Sequence, residues 1–295
     1  MTTSFPTGCG PETFDLYQAP VESNVRFRTS GTARLGNPRA IARRSAAPAS
    51  PRQPLRSPGE SADSVAEIGE QSVPKKPSAE IPYRKPRAIT DRLRKQVAEE
   101  LPEIARIGDT ALRQKVTEAW AFALAHSSFT SIRQIPPAGN PDTNEARRGD
   151  QTDHLRGVTR LAVAIAAEMG TAYPELAIDM DVIVAGGLVH DVGKAWEFDP
   201  VNRKRWKANQ RQTGRPSIRH PAFGAHICLT VGLPEEVAHI AMAHSGEGEL
   251  LVRSLECMIV HQADYTFWNT LLAGGQLKPD TVPPQTRKYI TDKPF

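Results

Sequence analysis

The sequence predicts an all-α protein, a helical bundle preceded by a disordered N-terminal extension. Three observations predict it. From residue 87 onward, apolar residues recur three and four apart, the spacing of one helix face. Almost no stretch alternates apolar and polar residues with period two, as a half-buried strand would. Residues 1–80 hold ten of the chain's 25 prolines, are dense in Ser, Ala, Gly and Arg, and keep no apolar period. Such a segment buries too little apolar surface to offset its ordering entropy, and it reads as disordered. Of the 295 residues, roughly 200 remain, ample for one helical domain with a real core.

The helices follow in order. "TDRLRKQVAEELPEIARI" opens on Thr90 and Asp91 as a capping pair, and Pro102 starts a second short helix inside it. "DTALRQKVTEAWAFALAH" is amphipathic, with Leu112, Val116, Trp120 and Leu124 along one face. A loop rich in Pro, Gly and Asn covers 136–150. "QTDHLRGVTRLAVAIAAEMG" is a helix of about five turns, ended by Gly170. "DMDVIVAGGLVHDVGKAWEF" reads as one nearly all-apolar helix, central and buried on most sides. A polar stretch, 199–218, interrupts. Three more helices then follow in "HPAFGAHICLTVGL", "PEEVAHIAMAHSG" and "GELLVRSLECMIVHQADYTFWNTLLAG". The last 20 residues, with Pro279, Pro283, Pro284 and Pro294, read as an extended tail.

A net charge of +4 is mildly basic. Residues 23–59 contain eight arginines and no acid. A nucleic-acid-binding arm or a transit sequence has this composition. So does an ordinary disordered extension, or a stretch upstream of the true start codon. Glu12, Asp15 and Glu22 count against a transit peptide. Cys9, Cys228 and Cys257 are odd in number and form no CxxC pair, which counts against a disulfide framework and a thiolate zinc site. No run approaches the apolar length of a membrane span, so no membrane is expected and the chain is placed in the cytoplasm.

The polar residues inside the apolar helices carry the chemistry. His154 lies in the first turn of its helix, His190 and Asp191 late in the central one. His220 opens the next helix, His244 closes the one after, and Asp264 lies in the last. Imidazoles and carboxylates are ligands of Zn, Mn, Fe and Co, and facing helices of a bundle are where such sites are built. This order, carried by "DHLRGVTRLA", "LVHDVGKA", "HPAFGAHI", "AMAHSGEG" and "VHQADYTF", resembles the HD superfamily of metal-dependent phosphohydrolases. Its spacing is most similar to the bacterial HD hydrolases that split diadenosine tetraphosphate. The sequence departs from them after Asp264, where "YTFWNT" replaces an acidic-proline ending.

The resemblance implies a division into four segments: 1–80 as the disordered extension, 87–146 as a helical part packing on the core, 147–274 as the HD metal-binding domain, and 275–295 as the tail. It implies a divalent metal cofactor, one or two ions of Mn, Fe, Zn, Co or Mg. His154, His190, Asp191 and Asp264 would hold one ion; His220 and His244, with Asp191 bridging, a second. Asp191 and Lys194 are then the expected catalytic residues, Lys194 supplying positive charge to the developing oxyanion or leaving group. Arg215 and Arg219, nearest His220 in the basic stretch, are the expected substrate-binding residues. Glu247 and Glu249 are candidates to assist proton transfer. His126, His226, His239 and His261 read as ordinary histidines, with His226 and His261 close enough in sequence to support ligands.

The expected function is hydrolysis of a phosphate ester or anhydride in a nucleotide or small anionic molecule by a metal-activated hydroxide. Two alternatives share the ligand set: a di-iron oxygenase of the HD type, and a hydrolase of a C–C or C–N bond in a carboxylated substrate. A nucleotide sensor or nucleic-acid binder is the non-enzymatic alternative; nucleic acid is not the expected partner. A homo-oligomer is compatible with the sequence.

Overall fold

The computed structural model describes residues 85–284; the expected disordered extension, 1–80, and the end of the tail, 285–295, lie outside the described residues. Helix α1 (Asp91–Glu100) begins where the Thr90 hydroxyl accepts the Leu93 N–H. A 3₁₀ turn at Pro102–Arg106 leads to α2 (Thr110–Ala125), capped by Asp109. Leu112, Val116, Trp120 and Leu124 are buried, and so are Ala119, Ala121 and Ala123. The helix is therefore enclosed on more sides than its pattern marked.

A short antiparallel hairpin follows, β1 (Ala138–Asn140) and β2 (Thr143–Glu145), with Ala138 opposite Glu145 and Asn140 opposite Thr143. Then come α3 (Gln151–Ala172), α4 (Met180–Val189), α5 (Lys194–Glu197), α6 (Pro200–Ala208) and α7 (Gln210–Thr213). The last three are α8 (His220–Thr230), α9 (Glu235–Ala243) and α10 (Leu255–Ala273). The described chain is all-α apart from the hairpin, as expected. No described helix is long and apolar enough to cross a membrane.

Helix α4 is the stalk of the bundle, packed against α2, α3, α9 and α10. Its propensity is poor: two glycines and three valines in ten residues. Two glycines cost about 2 kcal/mol against alanine and the β-branched residues a few tenths each. Burial of Ile183, Val184, Leu188 and Val189 returns roughly 1.5–3 kcal/mol apiece and wins. Gly187 is there for contact. A Cβ on it would sit 2.8 Å from Thr159 Oγ1 and 3.1 Å from Thr159 Cα, so α3 and α4 approach more closely than alanine permits.

The first helices are tied to this core by polar links. Glu103 receives Arg156 and Arg160 from α3, and Asp181 at the start of α4 accepts the N–H groups of Gly108 and Asp109 at 2.8 Å each. Trp120 donates its indole N–H to the carbonyl of Leu188 at 2.8 Å, in the last turn of α4.

Five expectations change. Helix α3 runs past Gly170 to Ala172, because Gly170 faces open space and the stop is Pro174, which disfavours helical backbone at Tyr173. The stretch 180–198 is not one helix: α4 ends at Val189, the His-Asp-Val-Gly residues form tight turns, and α5 restarts at Lys194. The polar stretch 199–218 is largely helical, because Asp199 caps α6 with Pro200 in its first turn and Trp206 anchors it in the core. Within the expected loop 136–150 the hairpin forms, its turn using positive φ at Asp142. The described part of the tail folds back, with Leu277 bridging Ala146 and Val282 buried.

The Trp120 link yields a prediction. Trp120→Phe leaves the Leu188 carbonyl buried without this donor and should cost about 1–3 kcal/mol. At roughly 2–4 °C per kcal/mol for a domain of this size, thermal denaturation will read the loss; an unchanged midpoint would show that the bond contributes nothing.

Candidate metal centre

Every predicted ligand but Asp264 sits at the end of a helix or next to one. A capping box starts α3, with Asp150 accepting from the first turn and Asp153 from the Asp150 backbone, which places His154 in that turn facing the core. His190 is the C-cap of α4, and Asp191 follows in the turn. His220 opens α8, His244 caps α9, and Asp264 lies at the middle of α10. All six side chains are buried. They reach one place.

Asp191 is the centre of the cluster. Its Oδ2 lies 3.0 Å from His154 Nε2 and 3.3 Å from His190 Nε2. Its Oδ1 lies 3.3 Å from His220 Nε2 and 3.6 Å from His244 Nε2. Asp264 Oδ1 lies 3.4 Å from His154 Nε2, and the Nε2 atoms of His154 and His190 are 3.2 Å apart. Three overlapping sets have ligand geometry: His154, His190 and Asp191; His190, His244 and Asp264; Asp191, His220 and His244.

The hydrogen bonds outside the cluster decide what its atoms offer inside. His190 Nδ1 meets the Gly187 carbonyl at 2.8 Å and His244 Nδ1 meets the Ala241 carbonyl at 3.0 Å. A carbonyl only accepts, so both Nδ1 atoms are protonated and, in the neutral rings, both Nε2 atoms present lone pairs. His220 Nδ1 lies against Glu197 Oε2 with the same result. Burial works against the charge of Glu197, yet the His220 hydrogen bond keeps its pKa below the ordinary value. Lone pairs and carboxylate oxygens therefore converge, and Asp264 Oδ1 is buried with no hydrogen-bond partner among the described residues. Such a set repels itself unless a cation lies within it, so the residues fit a metal.

The electrostatics agree. Burial pushes the His154 imidazole down to about 4 and lowers His220 as well, so both are neutral ligands. Burial also opposes charge on His190, but the carboxylates of Asp191 and Asp264 outweigh it and raise its pKa, marking Nε2 as a position that attracts positive charge. For Asp191 burial is again the largest influence, and Lys194 and His190 overcome it, holding the carboxyl well below the usual range.

Lys194 is buried, not solvated. Its ammonium lies 2.6 Å from Asp191 Oδ2 and donates to the Ala138 carbonyl of the hairpin at 2.7 Å. It also lies 5.6 Å from the centre of the Trp268 ring. Arg219, expected as a substrate-binding residue, bridges Glu197 and Glu247. Arg215 is exposed and lines a larger groove beside the centre. Glu247, considered for proton transfer, is ion-paired; burial works against its charge, yet hydrogen bonds from Ser245 and Arg219 bring it down to about 2. Glu249 pairs with Arg253 on the surface.

Five other residues escaped the sequence reading or were understated. Glu197 orients His220; an acid between Trp196 and Phe198 was its only local mark, and that does not say which atom it meets. Gln151 donates to Asp191 Oδ2 at 2.9 Å from one turn before His154. Phe267 and Trp268, in the departing "YTFWNT", lie against the His154 ring at 4.7 and 4.9 Å between centres. Among the histidines read as ordinary, His261 donates to the His244 carbonyl at 2.6 Å and so holds the backbone of a candidate ligand. His126 stacks on Phe122, His239 accepts from the Ser254 N–H, and His226 is exposed; none joins the cluster.

The turn after Asp191 is tightly enclosed. A Cβ on Gly193 would lie 2.0 Å from the His220 carbonyl oxygen and 2.7 Å from the Gly224 nitrogen, both backbone. Gly193→Ala should therefore push α8 away from the His-Asp turn, at a cost of roughly 1–3 kcal/mol or more. Metal titration should show weakened binding at the His220 side. Wild-type affinity and stability would contradict this packing.

Residues 152–268 match the family described as HD domain. Ribonuclease Y of Thermosipho melanesiensis is 27% identical over 114 residues, 39% of this chain and 19% of that protein. Ribonuclease Y of Desulforamulus reducens is 26% identical over 114 residues, with the same shares. The chain thus spans under a fifth of the length of these relatives. No solved structure matches it. Residues 152–268 of this chain match an HD domain, and that stretch holds all six of the clustered histidines and aspartates.

Proposed function

We propose that the chain is a metal-dependent phosphohydrolase acting on a phosphate ester or anhydride. The observation that carries this reading is Asp191, whose two oxygens face separate pairs of histidines. His154, His190, Asp191 and Asp264 would hold one divalent ion, and Asp191, His220 and His244 a second. Ions so placed supply a water of lowered pKa and neutralise charge on a phosphoryl oxygen.

The chain's own residues supply the rest. Lys194 uses two of its three ammonium protons on Asp191 and Ala138. The third is available to a phosphoryl or leaving-group oxygen in the adjoining cavity, which Lys194 lines. Gln151 and Glu197 orient Asp191 and His220, so the ligand oxygens and nitrogens need no rearrangement. Residues 87–146 act as scaffold: their hairpin holds Lys194 and their Trp120 holds the end of α4.

A small anionic substrate is what the sequence favoured. The name of the relatives, ribonuclease, adds RNA phosphodiesters to the substrates that merit testing. Metal stoichiometry and steady-state kinetics on four variants test the reading. Asp191→Ala and Asp191→Asn should lose both ions, because each removes the shared anion. His244→Ala should lose mainly one. Lys194→Ala should keep both and lower kcat by about 10²–10³-fold, as when one transition-state donor is removed. A metal-replete, active Asp191→Ala protein would refute the proposal. Two irons with a mixed-valence spectrum and no phosphohydrolase activity would favour the oxygenase instead.

A further inference from the structure

We infer that the groove beside the metal centre is a second anion subsite, which holds a phosphate of the substrate other than the one at the metals. The inference rests on the phosphohydrolase reading. Its ligand class is a chain of anions in series, as in a polyphosphate or a nucleic-acid backbone.

The first observation is continuity. The groove has a volume of about 860 Å³ between α6, the Arg215–Arg219 segment and the hairpin turn. The cavity over the ligand cluster has about 390 Å³, and the two share Asn140 and Arg219 as walls. Ligand pockets span roughly 300–1,000 Å³. The metal-side cavity is at the small end of that range, so a substrate larger than one phosphate ester extends into the groove.

The second observation is charge. Both carboxylates lining the groove are already matched: Asp142 by Arg203 at 2.6 Å, and Glu197 by Arg219 and His220. Lys204, Lys207 and Arg215 also line it, and none has an ion-pair partner among the described residues. Lys204 and Lys207 are three apart on α6 and emerge on one side of it. Unmatched cations in a concave wall concentrate anions there.

The third observation is independent of charge. Trp206 lines the same groove, is 1% exposed, and its indole N–H has no hydrogen-bond partner among the described residues. A buried donor left unsatisfied is unfavourable, and a ligand oxygen would satisfy it. Three unmatched cations and a spare donor make a receptor for phosphate oxygens. Arg215, expected beside His220 as a substrate-binding residue, is assigned here to the outer subsite.

The test measures binding apart from turnover. The full chain without added metal is titrated calorimetrically with inorganic phosphate, inorganic tripolyphosphate and a tetraribonucleotide. The same titrations follow on Lys204→Glu, Lys207→Glu and Arg215→Glu, singly and combined; all three sites are exposed, so folding should be intact. The combined variant should bind tripolyphosphate or the tetranucleotide at least tenfold more weakly, with inorganic phosphate affected less. The salt dependence of tetranucleotide binding should flatten by a slope of about 2, for three lost contacts at roughly 0.7 each. A loss confined to tripolyphosphate identifies a polyphosphate chain as the occupant, and one confined to the tetranucleotide identifies a nucleic-acid backbone. Undiminished binding of both overturns the subsite even if the chain hydrolyses phosphate esters. Weakened binding with no hydrolysis of any phosphate ester leaves the subsite standing and overturns the function.

Discussion

A buried carboxylate organises this protein. Asp191 is almost wholly withdrawn from solvent, and an ion of its size loses several kcal/mol of hydration on burial even after relaxation. That loss is tolerable only where opposite charge and donors surround it. Lys194 and Gln151 supply both on the Oδ2 side, while four imidazoles close around the two oxygens. Helices α3, α8, α9 and α10 must therefore arrive at the His-Asp turn together. The geometry of the bundle is the geometry of that coordination.

The apolar core and the polar cluster make opposite demands, and α4 reconciles them. Its residues are chosen for burial over helix propensity, so it can run through the middle of the bundle and deliver His190 and Asp191 where the others converge. The helix then has to stop. Tight turns from Val189 to Lys194 replace a straight continuation, and they point His190, Asp191 and Lys194 inward. Glycine at 193 lets the α8 backbone come against those turns, which brings His220 within reach of Asp191. The polar residues behind the ligands extend the same logic outward, from His220 to Glu197, from Glu197 to Arg219, and from Arg219 to Glu247.

That outward chain ends where the environment changes. Charges at the cluster are desolvated, so their interactions are strong and little screened by salt. The lysines and Arg215 of the groove are exposed, where salt screens them within about 10 Å. Buried groups suit tight placement of ions and a reacting phosphoryl group. Exposed cations suit the capture and orientation of the remainder of a long anion. Arg219 lies between the two regimes and belongs to both walls.

Helical class, helix order and the six candidate ligands were legible in the sequence, because each depends on local properties. Apolar spacing of three and four records a helix face, and a metal accepts few residue types. Histidines and aspartates set in apolar runs therefore stand out before any fold is known. The stop of α4 at Val189, the hairpin over Lys194 and the helical nature of 199–218 were not legible. Each depends on partners far along the chain: Trp120 at Leu188, Ala138 at Lys194, and Trp206 in the core. Glu197 and Gln151 looked like ordinary polar residues, since nothing local says which atom they will meet. Residue chemistry by itself determined what could bind; only tertiary structure decided which lone pairs converge, because direction and distance are properties of packed helices.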